Sequence, residues 1–269
     1  MANFRSPPLG FLAIDVILHR PPGDPFNELT WQFPLIREKI VGSSESQVVS
    51  SSSYDPEFMN RIVDAGKRLA DRGAVGIITS CGFLAMAQPE YVTYSYPLYK
   101  NSKELMNLHR RLAASLPIPV ATSALVQIPS ILSLLATDRT VGIITFDDTR
   151  LQSLHLERLG INSARCHIRG STAGGPLQRH IRNGEEYVHA ELACELVGVV
   201  EALLVDHPDI AAICLECTQM PAFADEISAA VGLPVYDVYT MGCWFYSSLS
   251  RSRPERWGLP LKDTVENRM

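Results

Sequence analysis

The chain has 269 residues, of which 46% are hydrophobic and 20% are charged. This composition allows one or two domains with buried cores and excludes global disorder. The formal net charge of -5 comes from 24 basic and 29 acidic residues, and no basic run could follow a phosphate backbone. We therefore expect no nucleic-acid partner.

The first residues lack the basic stretch and apolar segment of a secretory signal, and no run reaches the roughly 18 apolar residues that span a bilayer. The six cysteines are spread along the chain, unlike the dense pattern of a small disulfide-rich domain. We expect a soluble cytoplasmic protein with reduced thiols and no membrane partner.

Short apolar runs alternate with longer amphipathic stretches, which is typical of an α/β fold with parallel sheets. Two helices are predicted at 57–72 and 186–204, because apolar residues recur there on one helical face. The predicted strands lie at 9–16, 47–51, 75–79, 118–122, 141–145, 211–215 and 234–238.

One order of motifs occurs twice in the chain. An apolar strand at 75–79 is followed by Cys81, and another at 211–215 is followed by Cys217. In both places a predicted helix comes next, and then a Leu-Pro turn leads into a further strand. The repeat predicts two pseudo-symmetric halves, each a mainly parallel sheet flanked by helices.

We place the N-terminal domain at 1–122 and the C-terminal domain at 123–239, with 240–269 packing back on the first domain. A tyrosine-rich segment at 91–111 interrupts the first repeat. Its sequence is compatible with a lid over the site, an added helix or a subunit interface, and it does not decide among them.

Ligands of parallel α/β sheets bind at the carboxyl ends of the strands. Cys81 and Cys217 are both predicted at such ends, on opposite walls of one cleft between the domains. A helix beginning after each thiol would stabilise its thiolate, and the backbone N–H groups of Gly82 and Thr218 would hold a carboxylate. Two facing thiols suit removal of a proton from one side of a carbon and its return to the other.

The motifs that contain the two cysteines resemble those of the aspartate/glutamate racemase superfamily. They read Thr-Ser-Cys-Gly-Phe at 79–83 and Leu-Glu-Cys-Thr-Gln-Met-Pro at 215–221. The similarity includes Asp15 and the segments 127–129 and 234–237. It implies two Rossmann-like domains, no cofactor and deprotonation alpha to a carboxylate.

On this basis we predict a cofactor-independent racemase or epimerase, an isomerase, that acts on a small carboxylate. The two bases are Cys81 and Cys217, and Asp15 assists. The predicted substrate-binding residues are Ser80, Gly82, Phe83, Ser123, Gln127 and Thr218. No metal is expected, and the chain is expected to form a homo-oligomer. Other superfamily chemistry (cis-trans isomerase, decarboxylase or lyase) and a non-catalytic ligand-binding homologue remain alternatives.

Several of these residues have a structural alternative. Asp15 could cap a turn, and Ser123 and Gln127 could cap the next helix. Cys214 lies inside an apolar strand, which favours packing over chemistry. Gln219 stands where glutamate racemases have a histidine, so the local sequence offers Cys217 no histidine helper.

Overall fold

The computed structural model describes residues 6–49, 54–79, 83–84 and 116–251, and these contain two parallel four-stranded sheets. The first sheet has the order β2-β1-β3-β4, and the second has the order β6-β5-β7-β8. The strands are β1 (Leu9–Ile14), β2 (Leu35–Ile40), β3 (Ile77–Thr79), β4 (Val120–Ala121), β5 (Thr140–Thr145), β6 (Cys166–Gly170), β7 (Ile210–Leu215) and β8 (Val235–Tyr236). The identical strand order confirms the predicted α/β fold with two repeated halves.

The described part of the chain contains eight α-helices. They are α1 (Glu45–Val48), α2 (Pro56–Asp71), α3 (Ile128–Leu134), α4 (Ser153–Glu157), α5 (Pro176–Asn183), α6 (His189–Asp206), α7 (Ala224–Val231) and α8 (Val238–Leu249). Both helices predicted from the apolar pattern are present, as α2 and α6. None of the helices described here combines the length and apolar character needed to span a membrane.

Helix α2 shows how the sequence specifies one of these elements. Asp55 caps its first turn by accepting a hydrogen bond from the backbone N–H of Glu57, and Pro56 has the fixed φ that suits a first helical residue. Its apolar face buries Phe58 and Ile62 completely against the first sheet. The stripe predicted from the helical period is therefore the face that contacts the core.

Two of the four edge strands, β2 and β6, were not predicted. Strand β2 carries Arg37, Glu38 and Lys39, and its charged side chains break the apolar pattern. Edge strands commonly carry such charges, because these discourage pairing with another chain.

The prediction of a strand at 47–51 is wrong for the residues that the structure describes. Residues 45–48 form α1, and the side chain of Gln47 accepts a hydrogen bond of 3.1 Å from the backbone N–H of Ser44. Residues 50 and 51 lie outside the described part. The β-branched residues Val48 and Val49 suggested a strand. Instead, Val48 is the last residue of α1 and Val49 follows it, and both side chains are buried in the core.

Helix α8 packs on the face of the first sheet. Its residue Met241 is buried in a cluster with Leu9 and Phe11 of β1. Tyr246 donates a hydrogen bond of 2.7 Å from its hydroxyl to the carbonyl oxygen of Pro7. The predicted domain limits at 122 and 239 stay predictions, and residues 252–269 lie outside the described part.

Candidate active site

The two cysteines of the repeated motif follow matching strands. Cys217 comes two residues after the end of β7, and Cys81 comes two residues after the end of β3, which occupies the same place in the other sheet. Cys81, Ser80 and Gly82 lie outside the described residues. The geometry of the site is therefore built from Cys217 and its surroundings.

Cys217 lines a cleft of about 580 Å³, including its open mouth, at the carboxyl ends of the strands. We call this the Cys217 cleft. Its polar end is formed by Arg20, Glu216, Cys217, Thr218 and Gln219. Its apolar walls are formed by Ile14, Val16, Leu18, Val49, Phe83, Phe146 and Ile181. Such a cleft suits a small ligand with one charged end and one apolar end.

Cys217 as a whole residue is partly exposed, and the backbone N–H of Gln219 donates a hydrogen bond to its thiol. Burial raises the pKa of Cys217 well above that of an ordinary thiol, and the carboxyl of Glu216 adds to the rise. The chain does not enter a helix directly after the thiol. A 3-10 turn begins at Pro221 and α7 only at Ala224, so the expected helix terminus does not stabilise this thiolate.

Glu216 is a fully buried carboxyl next to the thiol. Its Oε2 atom accepts a hydrogen bond of 2.7 Å from the hydroxyl of Thr145, and the backbone N–H of Phe146 also interacts with the carboxyl. Burial raises the pKa of Glu216 to about 7. Near neutral pH its charge, which opposes ionisation of Cys217, is therefore partly removed. Glu216 was not among the predicted site residues, although an acidic residue directly after an apolar strand is a usable signal.

A buried ion pair forms the other part of the polar end. Arg20 Nη1 lies 3.0 Å from Oδ2 of Asp24, whose side chain is only 1% exposed. Gln219 donates a hydrogen bond from Nε2 to the same oxygen, and Asp24 Oδ1 accepts another from the backbone N–H of Phe26. These contacts hold the Arg20 guanidinium at the cleft, where its remaining N–H groups can bind a carboxylate.

This arrangement was not predicted from the sequence. Gln219 was noted there only because it stands where glutamate racemases have a histidine. Gln219 and Asp24 are 195 residues apart, so no local pattern could join them.

The predicted substrate-binding residues have different positions. Phe83 and Thr218 line the Cys217 cleft. Ser123 is buried and accepts a hydrogen bond from the backbone N–H of Leu125, so it caps the next turn. Gln127 donates from Nε2 to the carbonyl oxygen of Asp237 at 2.9 Å, away from the cleft lining.

Asp15 is exposed and contacts the end of β2. Its carboxylate accepts a hydrogen bond from the backbone N–H of Gly42 and lies 3.6 Å from Nζ of Lys39. It is not among the residues that line the cleft within the described part of the chain. Its assistance to Cys81 stays a prediction.

The proteins whose sequences are similar to this chain are named as lyases. No family model matches the chain. It is 27% identical over 248 residues to a dimethylsulfoniopropionate lyase of Durusdinium sp. clade D, covering 90% of this chain and 75% of that protein. It is 24% identical over 256 residues to dimethylsulfoniopropionate lyase 5 of Emiliania huxleyi strain CCMP1516, covering 92% of this chain and 46% of that protein. The predictions of a racemase or epimerase and of an isomerase are therefore wrong.

Comparison with solved structures gives the predicted fold. Unliganded arylmalonate decarboxylase matches with a TM-score of 0.54 at 17% identity, over 92% of this chain and 94% of that one. Allantoin racemase of Klebsiella pneumoniae matches with a TM-score of 0.53 at 15% identity, over 94% of both chains. An aspartate racemase homologue of Pyrococcus horikoshii OT3 matches with a TM-score of 0.50 at 13% identity, over 91% of this chain and 99% of that one. The chain therefore shares the fold of these proteins, which is the fold implied by the resemblance of its two cysteine motifs.

Proposed function

We propose that the chain is a lyase that eliminates a neutral leaving group from the β carbon of a small carboxylate, with dimethylsulfoniopropionate as the first candidate substrate. The observation that carries this proposal is the similarity to a lyase of that name across 90% of the chain. The chain spans about half the length of the Emiliania huxleyi relative, so activity and substrate are both part of the proposal.

The reaction requires one base. The base removes a proton from the α carbon, and the electrons of the C–H bond form the double bond between the α and β carbons. The C–S bond breaks, and its electron pair stays on sulfur. The products are acrylate, neutral dimethyl sulfide and a proton on the base. Because the leaving group departs uncharged, no acid has to protonate it.

This chemistry explains why the motifs suggested a racemase. Racemisation and β-elimination both begin with removal of a proton alpha to a carboxylate. A racemase then returns a proton to the opposite face, whereas a lyase expels the β substituent. The substrate's β carbon decides between these outcomes, and the cysteine motifs contain no information about it.

The Cys217 cleft has groups for both ends of such a substrate. We assign the carboxylate to Arg20 and the sulfonium to the apolar walls, where Phe83 and Phe146 offer aromatic rings to a cation. One face of Phe146 is already covered, since Cζ of Arg182 lies 4.7 Å from its ring centroid. Phe83 is therefore the stronger candidate for contact with the sulfonium.

A cationic substrate also makes ionisation of the thiol more favourable. Burial keeps Cys217 protonated in the free protein. A sulfonium bound in the same cleft places a positive charge near the thiol and favours its thiolate. We therefore assign the base role to Cys217. The predicted second thiol, Cys81, and the predicted homo-oligomer belong to the same proposal.

Release of dimethyl sulfide tests the proposed function. The purified chain is incubated with dimethylsulfoniopropionate, dimethyl sulfide is measured by headspace gas chromatography, and acrylate is measured by liquid chromatography. We expect both products in equal amounts. Cys217→Ser should lower the rate at least about 100-fold, as for loss of a general base. Cys194→Ser, which changes an exposed thiol on α6, should retain the full rate.

Two results would overturn the proposal. One is a folded wild-type chain that releases no dimethyl sulfide. The other is a Cys217→Ser variant with the wild-type rate.

A further inference from the structure

A cluster of two histidines and one carboxylate lies at the end of the second sheet that is opposite the Cys217 cleft. His167 is the second residue of β6, His207 follows the last residue of α6, and Asp209 directly precedes β7. Cys217 follows the other end of β7. Since that strand has six residues, the cluster and the thiol are separated by roughly 20 Å. The cluster is therefore independent of the proposed reaction.

We infer that His167, His207 and Asp209 form a binding site for a zinc-like divalent transition-metal ion. One possible ligand atom from each residue lies within 4.8 Å of the others. Nε2 of His167 is 3.5 Å from Oδ2 of Asp209. In a tetrahedral zinc site with bonds of about 2.0–2.1 Å, neighbouring ligand atoms are about 3.3 Å apart. The His167–Asp209 pair is already close to this separation, and the third ligand needs a shift of about 1.5 Å at most.

The hydrogen bonds of the cluster are consistent with an ion bound at its centre. Nε2 of His167 is buried and makes no well-aligned hydrogen bond within the described residues, although Oδ2 of Asp209 lies 3.5 Å away. Thr140 donates a hydrogen bond of 2.8 Å from its hydroxyl to Asp209. Metal-binding carboxylates are commonly held in place by such a second hydrogen bond.

One rearrangement is required. The rings of His167 and His207 are stacked with centroids 3.7 Å apart and planes inclined by 16°. Two parallel rings cannot both direct an in-plane lone pair at one ion, so the rings must rotate apart on binding. The side chains can do this because His167 is 24% exposed and His207, directly after α6, is also partly exposed.

The donor set selects the kind of metal. Two imidazoles and one carboxylate suit Zn²⁺, Co²⁺ or Ni²⁺, whereas Ca²⁺ and Mg²⁺ prefer oxygen ligands. Cys166 precedes His167 on β6, so its side chain points to the other face of the strand, and its thiol contacts the carbonyl oxygen of Asn162. Water would complete the coordination. The ion would connect β6 to the α6–β7 junction and stabilise the second sheet.

Cobalt titration tests the site. The reduced, chelator-treated full-length chain is titrated with Co²⁺, followed by visible absorption and by calorimetry, and Zn²⁺ is then added in competition. We expect one ion per chain, a spectrum of nitrogen and oxygen ligation, and a raised Tm. His167→Gln and Asp209→Asn should each weaken binding at least about 10-fold.

The matched control is His189→Gln. His189 Nε2 lies 2.7 Å from a carboxylate oxygen of Glu226, and within the described residues this histidine and carboxylate have no third metal-binding side chain beside them. The control should bind Co²⁺ as the wild type does. A thiolate-to-cobalt charge-transfer band that disappears in Cys217→Ser would place the ion at the cysteines and overturn the inference. Wild-type affinity in Asp209→Asn, or no binding by the wild type, would also overturn it.

Discussion

Arg20 and Asp24 form an ion pair of 3.0 Å at the polar end of the Cys217 cleft, with side chains that are 15% and 1% exposed. The pair connects the loop after β1 to the motif after β7, because Gln219 donates a hydrogen bond to the same carboxylate. A guanidinium held in this way can bind a substrate carboxylate without a large loss of side-chain entropy.

Replacement of Arg20 should affect both binding and stability. We expect Arg20→Met to raise KM for dimethylsulfoniopropionate about 10- to 100-fold, the value of a lost charged hydrogen bond, with a smaller change in kcat. It should also lower the free energy of unfolding by about 3 kcal/mol, because Asp24 stays buried without its partner. Steady-state kinetics and chemical denaturation measure the two effects.

The double variant Arg20→Met/Asp24→Asn separates these effects. It removes the unpaired buried charge and should recover most of the lost stability, while KM stays high. If the double variant recovered the wild-type KM, Arg20 would act only through the fold and not on the carboxylate.

Glu216 should make stability depend on pH. Its pKa is raised from 4.5 to about 7, so the folded chain keeps this proton at pH values where the unfolded chain releases it. The contribution of Glu216 to the free energy of unfolding is fully present below pH 4.5. It falls by about 3 kcal/mol as the pH rises to 7, and it is constant above that. The difference in unfolding free energy between wild type and Glu216→Gln should follow this course.

Glu201→Gln is the control for this measurement, because Glu201 is exposed on α6. The difference between wild type and this variant should be the same at pH 4.5 and pH 7. An equally flat result for Glu216→Gln would show that its carboxyl ionises as in the unfolded chain.

The Cys217 thiol should react slowly with alkylating reagents in the free protein. Only the thiolate is nucleophilic, and the pKa of Cys217 is raised by burial. We expect its rate with iodoacetamide to increase about tenfold per pH unit through pH 9.5 without a plateau, as read by mass spectrometry of the peptide containing it. A plateau with a midpoint near the ordinary thiol value of about 8.5 would contradict the assigned environment.

Gly23 should be required for the contact between the N-terminal loop and the Cys217 motif. Its φ is +104°, and a Cβ atom there would lie 2.6 Å from Cα of Ala222. Gly42 has a φ of +70° with nothing within 4 Å of the same position. Gly42→Ala should cost only the backbone strain of about 1–2 kcal/mol, and Gly23→Ala about 2 kcal/mol more.

Chemical denaturation of the two glycine variants checks this difference. Equal losses would mean that Ala222 moves aside freely. The Cys217 motif would then not depend on close packing against the loop.

The sequence by itself determined the fold class, the repeat and the placement of the cysteines after matching strands. Apolar runs such as those of β5 and β7 were readable because the central strands of a parallel sheet are buried on both faces. The edge strand β2 could not be predicted from its sequence pattern, because its exposed side can carry charges.

The polar end of the cleft was decided only by the tertiary structure. Arg20, Asp24 and Gln219 meet because the two sheets bring distant loops together, and local periodicity contains no information about such contacts. The high pKa of Glu216 likewise arises from burial by residues far along the chain, including Thr145. The sequence motif located a thiol at the end of a strand, whereas the charge around that thiol was set by packing.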